Sequence, residues 1–157
     1  MSKEAIVEQI FISPDKGVPM VPLETVQAIA GVGLEGDRYA LGIGAFSKGK
    51  RQVIRHVSLV GLEAIEESNT LAEEPFLPSE TRRNIVTSGI DLNELVGESF
   101  YVGDVEMRGV ELCDPCGRPS KLAGKPRFQD AFENRGGLRA EVLSSGLIAV
   151  HDTIRVA

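Results

Sequence analysis

Glycine and proline limit what this chain can fold into more than any other residues. The chain holds 17 Gly and 8 Pro in 157 residues, and both residue types belong in tight turns. Such punctuation favours many short elements and leans towards β structure. The clearest case is Ser99-Phe100-Tyr101-Val102, then Gly103-Asp104, then Val105-Glu106-Met107-Arg108: two alternating runs joined by a two-residue turn, which is a hairpin pattern. Gly109 then marks a bulge or a close backbone approach before the strand resumes towards Cys113.

The other elements follow the same logic. Ala5 to Ile12 reads as a strand ended by the Pro14 to Gly17 turn. Pro19 and Pro22 make the start of the next segment at best an edge strand, whereas Thr25 to Ala30 can pair normally. Arg51 to Val60 reads as a strand and Leu62 to Glu67 as a short helix. Glu80 to Thr87 is expected to be a strand opened by Arg82 and Arg83, which then point to opposite faces, so at least one aims inward and needs an anion or carboxylate. Asp91 and Glu94 have the spacing of a capped single helical turn. Pro126 to Asn134 sets Phe128, Ala131 and Phe132 on one helical face, and Arg135-Gly136-Gly137 ends it. Strands at Leu138 to Leu143, Leu147 to Val150 and Thr153 to Val156 complete the chain. Short, regularly spaced strands without helical crossovers imply a mainly antiparallel β-barrel with two or three small helices. With 42% hydrophobic residues and no repeat or biased tract, residues 1–157 are expected to form a single domain.

A formal net charge of -6 argues against nonspecific nucleic-acid binding, which needs an excess of Lys and Arg. Met1-Ser2-Lys3-Glu4 leads into a strand pattern rather than a signal core, and no apolar run approaches the roughly 18 residues of a membrane span. The expectation is a cytoplasmic protein that binds no membrane. Gly31-Val32-Gly33-Leu34-Glu35-Gly36 spells G-x-G-x-x-G, but Gly42 and Gly44 in the following span argue against the helix that a dinucleotide site requires. What remains is a glycine-rich loop that approaches a ligand with Asp37 and Arg38 as polar tips, or a surface Asp-Arg pair. His56 lies within a strand and His151 in a turn, and no carboxylate or Ser partner is placed for catalysis.

Both cysteines fall in Val110 to Leu122. Pro115, Gly117 and Pro119 argue against a regular helix or central strand there, so the thiols are expected on a turn. Thiolate is the reactive and metal-binding form; Arg118 and Lys121 favour it, Asp114 opposes it, and Cys116 is the better candidate. A zinc site lacks ligands, since only His56 and His151 remain and there is no second C-x-x-C. A thioredoxin-type pair should sit where a strand enters a helix, which Gly117 and Pro119 speak against. Cys113, ending an apolar strand, also reads as a small buried hydrophobe. The remaining reading is a thiolate among cations (Arg38, Arg82, Arg83, Arg118, Lys121) that carries sulfur or ligates a soft metal held by an anionic organic cofactor.

The residues Gly33-Leu34-Glu35-Gly36-Asp37-Arg38-Tyr39, Arg82-Arg83-Asn84-Ile85 with Gly89-Ile90 and Leu95-Val96-Gly97, Val102-Gly103-Asp104, and Cys113-Asp114-Pro115-Cys116 together resemble the MOSC domain family, found at the C-terminus of molybdenum-cofactor sulfurases and as free-standing bacterial proteins. The resemblance implies a β-barrel-rich MOSC fold, similar to the pyruvate-kinase barrel, and recognition of the pterin-based molybdenum cofactor (molybdopterin). It also implies that Cys116 carries sulfur as a persulfide or ligates molybdenum, with Cys113 accessory. Asp37, Arg38, Arg82, Arg83 and Asn84 map to ligand-side positions, and Arg118 and Lys121 join the cluster expected to bind the cofactor's phosphate. His151 stands where the family commonly has Gly. The pyridoxal-phosphate domain of the fused sulfurases is absent, so no pyridoxal phosphate is expected on this chain. Sulfur would come from a pyridoxal phosphate-dependent cysteine desulfurase and pass to a molybdoenzyme. The alternatives are a non-catalytic cofactor-binding or shuttle module, and a small thiol oxidoreductase using Cys113 and Cys116.

Overall fold

The computed structural model describes residues 4–15, 17–37, 56–71, 74–113, 118–126 and 128–157. Eleven strands are found among them: β1 Ile6–Ile12, β2 Val21–Leu23, β3 Thr25–Ile29, β4 Gly33–Leu34, β5 Val57–Gly61, β6 Ile85–Ser88, β7 Ser99–Val102, β8 Val105–Leu112, β9 Leu138–Val142, β10 Gly146–Ala149 and β11 Ile154–Val156. Three short α-helices accompany them: α1 Leu62–Asn69, α2 Arg118–Ala123 and α3 Phe128–Ala131.

The large sheet runs β11-β7-β8-β9-β5-β6-β1-β2. It curls until β1 meets the chain leading into β11, where Ile6 bridges Thr153. There Ile154 N–H donates to Ala5 O at 2.8 Å and Val7 N–H to Asp152 O at 2.9 Å. The strands from β11 round to β1 therefore close into a barrel, which removes the unpaired edges that an open sheet would expose. Strand β2, with Pro22 inside it, hangs on the outer side of β1, the edge position that proline requires. A second sheet, β10-β3-β4, adds Val26, Ala28, Leu34 and Ile148 to the barrel core.

Alternation along the strands separates two cores. Ile10, Leu59 and Ile85 point into the barrel with Phe100, Met107 and Leu138. Their neighbours Phe11, Val60 and Val86 point outward and are covered by Met20, Ile65, Phe76, Phe128 and Phe132. Phe128 and Phe132 stack at 4.3 Å between centroids, and Phe76 meets Phe128 edge-on at 5.1 Å. The helical face expected from Phe128, Ala131 and Phe132 is thus what docks α3 on the barrel.

The Gly103-Asp104 hairpin, the Asp91-capped turn and the Gly109 bulge are found as expected. A Cβ on Gly109 would lie 2.0 Å from Leu95 O, which is the close approach that only glycine permits. Two expectations are corrected. Strands β5 and β6 pair in parallel and α1 is the crossover between them, because parallel neighbours need such a connection. The segment before β6 is not strand either: Pro78–Thr81 form a 3-10 turn, Arg82 takes a left-handed conformation at φ 65, and β6 begins only at Ile85. Pro78 suits the first turn of a helical segment, and Glu80 Oε1 accepts the Leu77 N–H at 2.8 Å.

Candidate functional site

Strand register places Asn84 and Cys113 on one rim of the barrel. Ile10 pairs with Ile85, Ile85 with Leu59, Leu59 with Leu138, and Leu138 with Leu112. Each neighbouring residue one step towards that end belongs to the rim: Phe11, Asn84, Ser58, Gly137 and Cys113.

At its centre, the Asn84 amide uses its full bonding capacity. Nδ2 donates to Phe11 O at 3.2 Å and to Asp37 Oδ1 at 3.1 Å, while Oδ1 accepts from Ser58 N–H at 3.0 Å and Ser58 Oγ at 3.2 Å. Asp37 Oδ1 also accepts the Ser13 N–H at 2.9 Å. Both Asp37 and Asn84 are fully buried, and buried polar groups require such satisfaction. The pair locks the end of β1, the glycine turn after β4, and the starts of β5 and β6 together.

The two arginines leave this lock in different directions. Arg82 is buried, and its guanidinium donates to Val18 O and to Ser13 Oγ, the latter at 3.2 Å, holding the 13–18 segment. Arg83, half-buried, reaches across β5 and donates through Nε to Gly136 O at 2.7 Å. The next carbonyl, Gly137 O, accepts the Cys113 N–H at 2.8 Å. A strip of backbone therefore links Arg83 to Cys113. Gly137 sits at φ +102, where a Cβ would lie 2.0 Å from Leu59 O, so this strip is pressed directly on β5.

Cys113 is buried, with 4% exposure, and directly follows β8. Cys116 and Arg38 lie outside the described residues, as does the 38–55 segment on which the dinucleotide reading turned. Helix α2 opens at Arg118, which corrects the expectation that Pro119 would keep a helix away from this turn: proline is tolerated in a first helical turn, where its missing N–H has no partner to lose. Lys121 is exposed on α2. The helix lies against the Pro78–Thr81 turn, and Lys125, just past its end, pairs with Glu80 at 2.6 Å. Between them opens a cleft of about 290 Å³, walled by Pro19, Met20, Glu80, Arg82, Leu122 and Ala123. A larger concavity of about 760 Å³ lies between α1, the Gly89–Asn93 turn and α3. Its wall carries Glu63, Glu67, Asp91, Asp130 and Glu133 and none of the expected site residues, a charge unsuited to an anionic ligand.

Ser13, Ser58 and the Gly136-Gly137 pair escaped sequence reading as contributors. Ser13 and Ser58 complete the lock, and no motif distinguishes them from other serines. The Gly136-Gly137 pair was read only as a helix stop. His56, half-buried at the entrance to β5, accepts the Val142 N–H on Nδ1 at 3.0 Å, which fixes the neutral tautomer with its proton on Nε2. Burial pushes its pKa below the ordinary histidine value, against an opposing pull from Glu141. Among the described residues no group of acidic, His and Cys side chains forms a metal site, and no helix is long and apolar enough to cross a membrane.

A small β-barrel with Asn84 and Cys113 on one rim and Arg83 tied beside them by hydrogen bonds sets the class of protein. The chain belongs to the MOSC domain family, which matches over residues 44–155 and is commonly linked to molybdenum cofactor binding. No curated protein sequence matches it. Among solved structures, the YuaD protein of Bacillus subtilis is similar at a TM-score of 0.80 and 23% identity, over 98% of this chain and 96% of that one. YiiM of Geobacillus stearothermophilus superposes at 0.73 with 13% identity, over 98% and 75%. YiiM of Escherichia coli superposes at 0.71 with 14% identity, over 99% and 70%. At these identities the likeness is one of fold.

Proposed function

We propose that this rim binds the pterin-based molybdenum cofactor and that Cys116 acts on it either as a persulfide sulfur carrier or as a thiolate ligand to molybdenum. The observation that carries the reading is the hydrogen-bonded strip from Arg83 through Gly136-Gly137 to Cys113: it ties a cation to the backbone that holds the first of the two cysteines. The donor set suits the group, since thiolate favours a soft metal centre and guanidinium a phosphate. Arg83, with Arg118 and Lys121 from α2, would hold the phosphate, with Arg82 on the cleft side. Asp37 and Asn84 support the site by holding the rim, their visible bonding capacity going to protein. The bound group would supply the metal centre. A cysteine desulfurase would supply sulfur to Cys116, and a molybdoenzyme would receive it.

The test is intact-protein mass spectrometry with metal analysis on material from cells competent for molybdenum cofactor, comparing wild type, Cys116→Ala and Cys113→Ala. Added sulfur or bound molybdenum should vanish in Cys116→Ala and persist in Cys113→Ala. Equal loading in wild type and Cys116→Ala would remove the role of Cys116 and leave a binding or shuttle module. A reversible Cys113–Cys116 disulfide with exchange activity and no loading would favour the thiol oxidoreductase.

A further inference from the structure

We infer that His56 is an acid-sensitive latch: its neutral ring holds β9 to the glycine turn that delivers Asp37 to the rim, and protonation of the ring releases that turn. Val142 N–H donates to His56 Nδ1 at 3.0 Å, and Val142 O accepts the Gly31 N–H at 3.0 Å. One residue of β9 thus holds the histidine with one backbone group and the turn after β3 with the other. The turn also lies directly on the histidine backbone: Gly33 sits at φ +137, where a Cβ would come within 2.6 Å of His56 O. Beyond it the Asp37 N–H donates to Leu34 O at 3.0 Å, and the Asp37 carboxylate enters the Asn84 lock. The latch is a property of the chain's own residues and stands whether or not a cofactor binds.

This arrangement accepts the neutral ring and rejects the charged one. Nδ1 is the acceptor, and a proton there would set one N–H against another. Val142 is 1% exposed, so its N–H would be left without a partner and without ready access to water, a cost that favours an opened arrangement in which the charged ring is hydrated. Half-burial of the ring acts in the same sense and lowers its pKa, while Glu141 on β9 pulls the other way. The other charge on β9, Arg139, is engaged by Glu111. Residues 25–34, which form β3, the turn and β4, carry no charge, and Glu35 after them is exposed. Among the described residues Glu141 is therefore the charged group that acts on the ring. The closed turn binds the His56 proton less readily than the open one, so acid shifts the population towards the open turn. With Asp37 at the end of that turn, the buried lock on the rim loosens along with it.

Amide hydrogen exchange of the full chain, followed by NMR between about pH 8 and 5 and normalised to the intrinsic rate at each pH, tests this. Protection of the Gly31 and Val142 amides should fall several-fold on acidification, and that of Ser13, whose N–H is held by Asp37, should fall with them, while the amides of β7 keep theirs. His56→Asn places a neutral oxygen where Nδ1 stands and cannot titrate; it should keep the protection seen at neutral pH and lose the acid response. His56→Ala should show low protection of Gly31 and Val142 at every pH. Independently of any variant, the ring nitrogens of wild-type His56 should show Nδ1 unprotonated at neutral pH and both nitrogens protonated in acid, with exposed His151 as the internal comparison. Protection of Gly31 and Val142 that ignores pH, an equal acid response in His56→Asn, or a proton on Nδ1 at neutral pH overturns the latch. A parallel fall in β7 overturns it too, since the whole fold would then be loosening. Ser13 unchanged while Gly31 and Val142 respond overturns the connection to the rim.

Discussion

Replacing Asn84 tests the lock on which the rim depends. Asn84→Ala withdraws the amide from Ser58 N–H, Phe11 O and Asp37 Oδ1. Ser58 is 7% exposed, Phe11 5% and Asp37 0%, so water does not readily substitute. An abandoned buried group costs about 1–3 kcal/mol, so the two backbone groups, which dominate because Asp37 keeps its Ser13 donor, total roughly 2–6 kcal/mol. Against a typical total stability of about 5–15 kcal/mol, the melting temperature should fall by on the order of 10 °C. Asn84→Asp has nearly the same shape but opposite consequences for charge. It sets a second carboxylate where Nδ2 now lies, 3.1 Å from Asp37 Oδ1, and two such groups cannot both ionise cheaply. At neutral pH this variant should be the less stable of the two. As pH falls and the pair comes to share a proton, its deficit relative to wild type should shrink, while that of Asn84→Ala stays flat. Thermal melts followed by circular dichroism between pH 5 and 8 read both effects. A loss below about 1 kcal/mol in Asn84→Ala, or a pH-independent deficit in Asn84→Asp, would refute the idea that Asn84 spends its bonds on the fold.

Two further outcomes follow from the same geometry. His56 has its pKa lowered by burial, so the unfolded chain binds its proton more readily than the native state does; the stability this confers is complete above the ordinary value of 6.5 and is lost as pH falls through that value towards the folded one. Chemical denaturation of His56→Gln should show a shallower decline than wild type on acidification below 6.5, and an identical slope would reject the assignment. Gly109→Ala should lower stability by about 2–3 kcal/mol, since its Cβ would sit 2.0 Å from Leu95 O and 2.7 Å from Leu95 C; a denaturation midpoint unchanged from wild type would mean that the bulge has room the structure does not show.

Local chemistry made much of the fold legible. The Gly103-Asp104 turn, the Asp91 cap, the proline of β2 and the Phe128-Ala131-Phe132 face each act within a few residues, so their signals survive in sequence. The parallel pairing of β5 and β6 does not: both strands are short apolar runs, and whether they pair directly depends on how α1 lays its Ile65 face over Val60 and Val86. The left-handed residues tell the same story. Arg82 and His151 adopt φ 65 and φ 76, conformations that neither side chain favours. At Arg82 the reversal lets the 3-10 turn end in time for Asn84 to reach Asp37, a distant demand that local propensity does not record.

For the candidate site, residue types were legible in sequence but the way each side chain is held was not. Adjacent arginines before a strand imply opposite faces, and the expected separation is found, but by a left-handed turn at Arg82 rather than by a pleat. That difference has a structural consequence. A pleat would have aimed one arginine into the barrel, where Phe100, Met107 and Leu138 offer no polar partner; the turn instead keeps both on the rim. Each then meets a carbonyl from another part of the chain, Val18 O for Arg82 and Gly136 O for Arg83, but their surroundings differ. Arg82 is enclosed between the 13–18 segment and the cleft, whereas Arg83 stops at a glycine pair whose next carbonyl already holds Cys113. The two environments are therefore separated by one residue, and what separates them is a backbone conformation that sequence spacing alone does not specify.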